Sequence, residues 1–145
     1  TSKRATNLLS EELSRGMDTI TYYSGFQEKA VIIKDNLLRF LLKAKEENKS
    51  VAAYGAAAKG NTILNFSGIK SDLLPVVYDA AVAKQGKFLP GSHIPILSPE
   101  DLLHNRPDYL LILPWNIASE IRAQLADLSN QGTKFVTAVP KLELA

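Results

Sequence analysis

The chain has 145 residues and a formal net charge of +2, with 46% hydrophobic and 22% charged residues. These values are typical of one folded domain, and so small a charge does not indicate nucleic-acid binding. The chain contains no cysteine, which excludes disulfides, a thiolate nucleophile and cysteine-based zinc sites within it. No stretch reaches the roughly 18 consecutive apolar residues of a membrane helix, and the first residues carry no apolar signal-peptide run. We therefore expect a cytoplasmic protein whose partners are neither nucleic acid nor membranes.

The first third of the chain is predicted to be helical. Residues 6–15 fit a short helix that stops at Gly16. Apolar residues then recur at helical spacing from Phe26 to Leu42, which predicts one long helix over residues 18–47. Residues 1–25 are interpreted as a lead-in to the main domain, and the lack of an initiator methionine suggests a piece of a longer protein.

From residue 51 onward, short apolar runs alternate with amphipathic stretches. Strands are predicted at Val51–Tyr54 and at residues 74–79, 94–97, 109–113 and 134–139. Helices are predicted at residues 61–66, after the cap Ser98-Pro99, and at residues 116–130, with a loop over residues 80–93. The proline within residues 94–97 indicates an edge strand.

This alternation is typical of an α/β fold. Nearly continuous apolar strands predict a parallel sheet covered on both faces. With right-handed crossovers, the expected topology is a Rossmann-like, doubly wound, mostly parallel sheet of about five strands, with an extra long N-terminal helix. Ligands of such sheets bind beyond the carboxyl ends of the strands, so that edge is the candidate site.

The first candidate is the loop between the first strand and the following helix, which consists of Gly55, Ala56, Ala57, Ala58, Lys59, Gly60 and Asn61. Backbone amides at a helix N-terminus attract phosphates, small residues allow close approach, and Lys59 can add a charge. The loop is neither a complete G-x-G-x-x-G nor a Walker A motif. Its small residues would also suit simple packing of helix against sheet, but the strand–loop–helix context favours a ligand loop.

The second candidate is Asp79, at the end of the second strand and 24 residues after Gly55. In dinucleotide-binding folds an acid about 20 residues beyond the glycine loop hydrogen-bonds to ribose hydroxyls. An aspartate at a strand end is equally typical of a loop cap, so both interpretations stay open.

The third candidate is the loop that carries Lys84, Gly86, Pro90, Gly91 and His93. Its basic residues and glycines could hold a nucleotide diphosphate or a sugar over the same crevice. His93 could do acid–base chemistry because the reference pKa of a histidine side chain is about 6.5. The sequence places no partner carboxylate or nucleophile beside it, so an incidental surface histidine is the simpler interpretation.

The fourth candidate is the pair Trp115-Asn116, directly after the fourth strand. The single tryptophan of the chain could stack on a base or a sugar, or it could pack the next helix. The sequence contains no H-E-x-x-H motif, no paired carboxylates and no order of residues that indicates a catalytic triad. We therefore predict no metal ligand in this chain.

Four stretches together resemble the C-terminal domain of sugar-nucleotide C-methyltransferases. They are residues 51–65, Asp79 together with residues 84–86, residues 90–96 and residues 107–116. Residues 80–83 depart from the family, in which this stretch is more polar. Members of that family use S-adenosylmethionine to methylate a ring carbon of a dTDP-linked keto-deoxysugar.

The resemblance implies that this domain is one of three with different functions. Family members combine a cysteine-rich zinc-binding domain, a central domain that holds S-adenosylmethionine, and a C-terminal Rossmann-like domain that helps to hold the sugar nucleotide. This chain matches only the third part, which implies that residues 1–25 are a helical connector from a missing upstream domain and residues 26–145 are the Rossmann-like C-terminal domain. S-adenosylmethionine and structural zinc are then expected in the missing domains, and the upstream methyltransferase domain is the expected partner. The catalytic base is expected in the central domain, so the resemblance implies no catalytic residue in this chain. The alternatives are an independent dinucleotide- or CoA-binding regulatory module and a purely structural domain.

Overall fold

The structure, a computed structural model, describes residues 2–145. Thr1, the first residue of the predicted connector, lies outside the described residues. The described chain falls into two units: the first ends at Ile32, and the second comprises Ile33–Ala145. None of the helices in residues 2–145 is long and apolar enough to cross a membrane.

The N-terminal helices are α1 (Lys3–Ser14), α2 (Ile20–Tyr23) and α3 (Phe26–Glu46). The predicted first helix is confirmed, and it begins earlier because the Ser2 hydroxyl caps it by accepting the Ala5 N–H at 3.3 Å. The predicted long helix is only partly matched. It is interrupted before α3 at Gly25, whose φ of +79° is incompatible with a continuous right-handed helix.

Six strands form one mostly parallel sheet. They are β1 (Val51–Tyr54), β2 (Val77–Tyr78), β3 (Ile96–Leu97), β4 (Tyr109–Ile112), β5 (Lys134–Thr137) and β6 (Glu143–Leu144). Their order is β3-β2-β1-β4-β5-β6, with β6 antiparallel to β5 and the other pairs parallel. The mostly parallel sheet and the edge position of the proline-flanked β3 are confirmed. The short β6 is a sixth strand that the sequence pattern does not reveal.

The remaining helices are α4 (Ala58–Phe66), α5 (Pro99–His104), α6 (Ala118–Gln124) and α7 (Ala126–Asn130). The helix predicted over residues 116–130 is divided into a 3₁₀ turn at Trp115–Ile117 followed by α6 and α7. The division between α6 and α7 falls at Leu125, whose φ and ψ of −108° and +24° depart from helical values. Helix α4 begins three residues before its predicted start, so Lys59 and Gly60 belong to its first turn.

Helices cover both faces of the sheet. Successive residues of β1 point to opposite sides, so Val51 and Ala53 join the cluster that contains Leu37 and Leu41 of α3 and Leu64 of α4. Ala52 and Tyr54 join the second cluster with residues of α5, α6 and α7. The central strands β1 and β4 are therefore buried on both faces, which explains why they are continuously apolar.

A clamp of polar groups aligns the amino ends of β1 and β4. The Asp108 carboxylate accepts the Ser50 N–H and hydroxyl, both at 2.8 Å, and the Lys49 ammonium at 3.0 Å. The hydrogen bond from the Ser50 backbone, those from the side chains of Ser50 and Lys49, and the Lys49 charge lower the pKa of Asp108 to about 2. The clamp supports the pairing of Val51 with Tyr109, from which β1 and β4 run in parallel to the candidate site.

Candidate functional site

The turn after β1 is set by Gly55, which has a φ of +93°. Its N–H donates to the Tyr78 carbonyl at 2.7 Å, and the chain then enters α4 through Ala57. No side chain in the described part of the chain caps this helix. The first N–H groups of a helix have no partner within it, so the N-terminus of α4 remains able to bind an anion.

Two glycines of the loop are required for packing. A Cβ atom on Gly55 would lie 2.5 Å from Pro114 Cδ, and one on Gly60 would lie 2.5 Å from Leu113 Cβ. The start of α4 is therefore pressed against the segment that follows β4. The packing interpretation thus accounts for Gly55 and Gly60, whereas the half-buried Ala57 and the exposed Ala58 and Lys59 lie outside this contact.

Asp79 follows β2 and is nearly buried, with 7% of its surface exposed. One carboxylate oxygen accepts the Ala56 N–H at 2.7 Å and the Lys84 ammonium at 3.0 Å, and the other accepts the Ala81 N–H at 2.8 Å. Three of the about four acceptor positions of a carboxylate are thereby occupied by the protein itself. The contacts agree with the loop-cap interpretation of Asp79, which fastens the β1 loop to the loop after β2.

The same region holds a buried phenol. Burial, followed by the nearby charge of Asp79, raises the pKa of Tyr54. Tyr54 is the last residue of β1 and belongs to the hydrophobic cluster on the face covered by α5 to α7. It therefore stays neutral and structural at ordinary pH.

Lys59 is brought to the residues after β4. Its ammonium donates to Asn116 Oδ1 at 2.8 Å and lies 5.7 Å from the centre of the Trp115 ring. Because β1 and β4 are parallel neighbours, their carboxyl ends place these three side chains together at one edge of the sheet. A cation beside an exposed amide and a half-buried indole can contact both the charged and the planar part of a ligand.

The loop containing Pro90, Gly91 and His93 is fastened to α4 and to the turn that follows it. Asn65 Nδ2 donates to the Pro90 carbonyl at 3.0 Å, and the Lys70 ammonium donates to the Gly91 carbonyl. Asn65 also donates to Asn61 Oδ1 at 3.2 Å, which connects the loop to the predicted site. The pair Asn61 and Asn65 has the i, i+4 spacing of one helix face, and this spacing is the signal that would have revealed Asn65.

His93 is exposed and adopts a left-handed backbone with φ of +56°. Its ring centre lies 6.1 Å from that of Phe88. Among residues 2–145 no acidic side chain forms a hydrogen bond or ion pair with His93, nor do three or more His, Asp or Glu side chains gather as a metal site. The arrangement offers binding groups and supplies no oriented acid–base pair.

Gly86 lies apart from these contacts. Its N–H donates to the Ile96 carbonyl at 2.9 Å, and its φ of +72° turns the loop between Lys84 and β3. A Cβ atom there would meet no atom within 4 Å. The structure therefore gathers the predicted residues into three neighbouring groups: the Lys59 group after β1 and β4, the Asp79 group after β2, and the loop held by Asn65.

Fold and site together define an α/β domain with a mostly parallel sheet and a polar cluster at the carboxyl ends of its central strands. A family model described as the C-methyltransferase C-terminal domain matches residues 1–140, and the chain belongs to that family. The family resemblance predicted from the sequence is confirmed.

A curated relative extends this result. The chain is 34% identical over 134 residues to the C-methyltransferase NovU of Streptomyces niveus, an alignment that covers 92% of the chain and 32% of NovU. The chain therefore spans about a third of the length of the curated relative that it matches.

Proposed function

We propose that this chain is the C-terminal, nucleotide-sugar-binding domain of an S-adenosylmethionine-dependent C-methyltransferase, and that it is not catalytic alone. The family match and the similarity to a C-methyltransferase about three times as long support this proposal. The strand order, with helices on both faces of the sheet, supports a Rossmann-like fold, in which ligands bind beyond the carboxyl ends of the strands.

The observation that carries the proposal is the meeting of Lys59 with Trp115 and Asn116 beside the uncapped N-terminus of α4. A diphosphate would be attracted by the free amides of α4 and by the Lys59 ammonium. The planar base or the sugar would stack on Trp115 and hydrogen-bond to Asn116. One ligand that contains both a diphosphate and rings would use all of these groups.

The remaining predicted residues have supporting roles in this proposal. Asp79 holds Ala56 and Lys84 in place, and Lys84, which keeps 43% of its side chain exposed, can turn its ammonium toward a phosphate. Gly91 and His93 form a wall of the crevice because Asn65 of α4 and Lys70, which follows α4, hold their loop in place.

The rest of the polypeptide supplies the chemistry in this proposal. S-adenosylmethionine and structural zinc would bind to upstream domains, with residues 1–25 as the connector and residues 26–145 as the domain described here. We further propose a cytoplasmic location, with the upstream methyltransferase domain as the partner in place of nucleic acid or membranes.

The single tryptophan makes the proposal directly testable, because its fluorescence reports on the site itself. We expect saturable quenching of Trp115 by dTDP, weaker quenching by thymidine, and no comparable response to S-adenosylmethionine. Lys59→Ala removes one charge-assisted contact and should weaken dTDP binding about tenfold. Lys134→Ala, an exposed lysine at the amino end of β5, is the matched control and should leave the affinity unchanged.

Two results would contradict the proposal. Tight binding of S-adenosylmethionine without any response to dTDP would indicate that this domain holds the methyl donor. Binding of NAD or CoA that is tighter than binding of dTDP would favour the alternative, an independent dinucleotide- or CoA-binding regulatory module.

A further inference from the structure

A groove lies between α3 and the C-terminal segment of the chain. Its volume is about 480 Å³, within the roughly 300–1,000 Å³ of small-molecule pockets. Phe40 of α3 and Tyr109 of β4 form its floor, and Leu142 and Leu144 form its far wall. The wall lies beyond residues 1–140, the part of the chain that the family model matches.

The aromatic floor is fixed in place by the core. The rings of Phe40 and Tyr109 meet edge to face, with their centres 5.1 Å apart and an interplanar angle of 79°. Both side chains and Leu142 are only partly buried, and all three pack against the hydrophobic cluster under α3. The apolar surface of the groove is therefore preformed, which lowers the entropic cost of binding a ligand.

Cations border this apolar floor. Lys43 and Lys141 reach Glu47 and Glu143 at 3.7 and 3.3 Å, but all four side chains are largely exposed, so these pairs are weak. Arg39 donates to the neutral Asn36 Oδ1 at 2.8 Å and forms no ion pair among the described residues. The guanidinium of Arg39 is thus the charge most available to an incoming anion.

The groove is separate from the Lys59 group. Tyr109 is the first residue of β4, whereas Trp115 and Asn116 follow the other end of the same strand. The two sets of lining residues share no member. A ligand of the groove would therefore be a second molecule, independent of the proposed nucleotide sugar.

We propose that this groove is a second ligand site for a small organic anion that carries an aromatic or branched apolar group. The apolar part contacts Phe40, Tyr109 and Leu142, and the anionic group pairs with Arg39 and Lys43. An added peptide strand fits less well, since the edge strand β6 has only two residues, follows Pro140 and exposes Glu143.

The probe that we choose is 2-naphthalenesulfonate, with 2-naphthylmethylammonium as the charge-reversed control. Backbone amide shifts of the 145-residue chain are followed by NMR during titration with each compound. We expect the sulfonate to cause saturable amide shifts at Ala44, Tyr109 and residues 142–144. Added salt should weaken the binding of the sulfonate, and the ammonium compound should cause no saturable shifts.

Variants separate the two parts of the recognition. Phe40→Ala removes the aromatic floor and Arg39→Glu reverses the available charge, and each should raise the Kd for the sulfonate at least tenfold. Lys59→Ala belongs to the other site and should leave this Kd unchanged. Because Phe40 packs on the core, the exposed Arg39 provides the decisive variant if Phe40→Ala does not fold.

The proposal fails if both compounds bind equally, if the shifts are confined to residues outside the groove, or if Arg39→Glu does not weaken binding. The titration is repeated on the longest natural polypeptide that contains this chain. Loss of binding there would mean that the rest of the polypeptide covers the groove, which also overturns the proposal.

Discussion

Replacing Gly55 with alanine tests why the loop after β1 has a glycine at this position. A Cβ atom there would lie 2.5 Å from Pro114 Cδ and 2.7 Å from Cγ, whereas carbon atoms prefer about 3.5–4.0 Å. The proline side chain is bonded to the backbone at both Cα and N, so its ring cannot move aside as a flexible side chain would. We expect about 1–3 kcal/mol of destabilisation from this overlap.

The left-handed backbone of Gly55 adds a second cost. Its φ of +93° is unfavourable for alanine, by about 1–2 kcal/mol. Gly132→Ala is the matched control, because Gly132 has a φ of +102° and a Cβ atom there would meet nothing within 4 Å. Gly132→Ala should therefore show the backbone cost alone, and Gly55→Ala should cost about 2–5 kcal/mol in total.

The double variant Gly55→Ala with Pro114→Ala isolates the contact. Removing the ring atoms at Pro114 should restore most of the stability that the overlap costs, so the effects of the two substitutions on the free energy of unfolding should not be additive. The assay is urea unfolding followed by circular dichroism, with unchanged m values as the condition for comparing free energies of unfolding. A cost at Gly55 no greater than at Gly132, or strict additivity with Pro114→Ala, would refute the packing explanation.

Three further predictions follow from single contacts. The backbone N–H of Ser50 and its neighbours hold the pKa of Asp108 at about 2, below the usual 3.8, so the stability from this clamp is present above pH 3.8 and is lost as the pH falls toward 2. Because the Asp108 side chain is 37% exposed, Asp108→Asn should cost only about 1 kcal/mol in urea unfolding at neutral pH and less at low pH; an equal cost at both pH values would contradict this. Asn65→Ala removes the 3.0 Å hydrogen bond to Pro90 and should speed amide hydrogen exchange in the loop after Pro90 about fivefold, and unchanged exchange would show that the loop is held by other contacts. Ala58→Leu, at an exposed position of the α4 N-terminus, should change the free energy of unfolding by less than about 0.5 kcal/mol while weakening dTDP binding in the Trp115 titration; an unaffected affinity would exclude this face of the helix from the site.

The sequence predicts the sheet well because burial on both faces leaves a strong signal. Continuous apolar runs mark β1 and β4, and the alternation with helices predicts the parallel pairing of these strands. The missing pieces are short or interrupted. Strand β6 has two exposed residues and no apolar run. The long N-terminal helix is interrupted between α2 and α3 by the extended Ser24 and the left-handed Gly25.

The position of the candidate site can be predicted from the sequence, but the contacts between its residues cannot. Each of Lys59, Asp79 and Trp115 follows a parallel strand, so their common edge can be predicted from the order of elements alone. Which of them meet depends on strand order and side-chain reach, and neither can be derived from spacing. The 24-residue separation that suggests a ribose contact for Asp79 is equally compatible with the observed bonds to Ala56 and Lys84.

The loop from Gly55 to Gly60 shows why a motif of small residues is ambiguous. Close packing and close approach of a ligand both exclude side chains, so the sequence pattern alone cannot separate them. The structure separates them position by position, because Pro114 and Leu113 occupy the space beside Gly55 and Gly60, while Ala58 and Lys59 face outward. The same loop therefore divides into residues whose substitution should change stability and residues whose substitution should change binding. A ligand role for this loop requires that a variant such as Ala58→Leu alter affinity without altering stability, and that Gly55→Ala alter stability first.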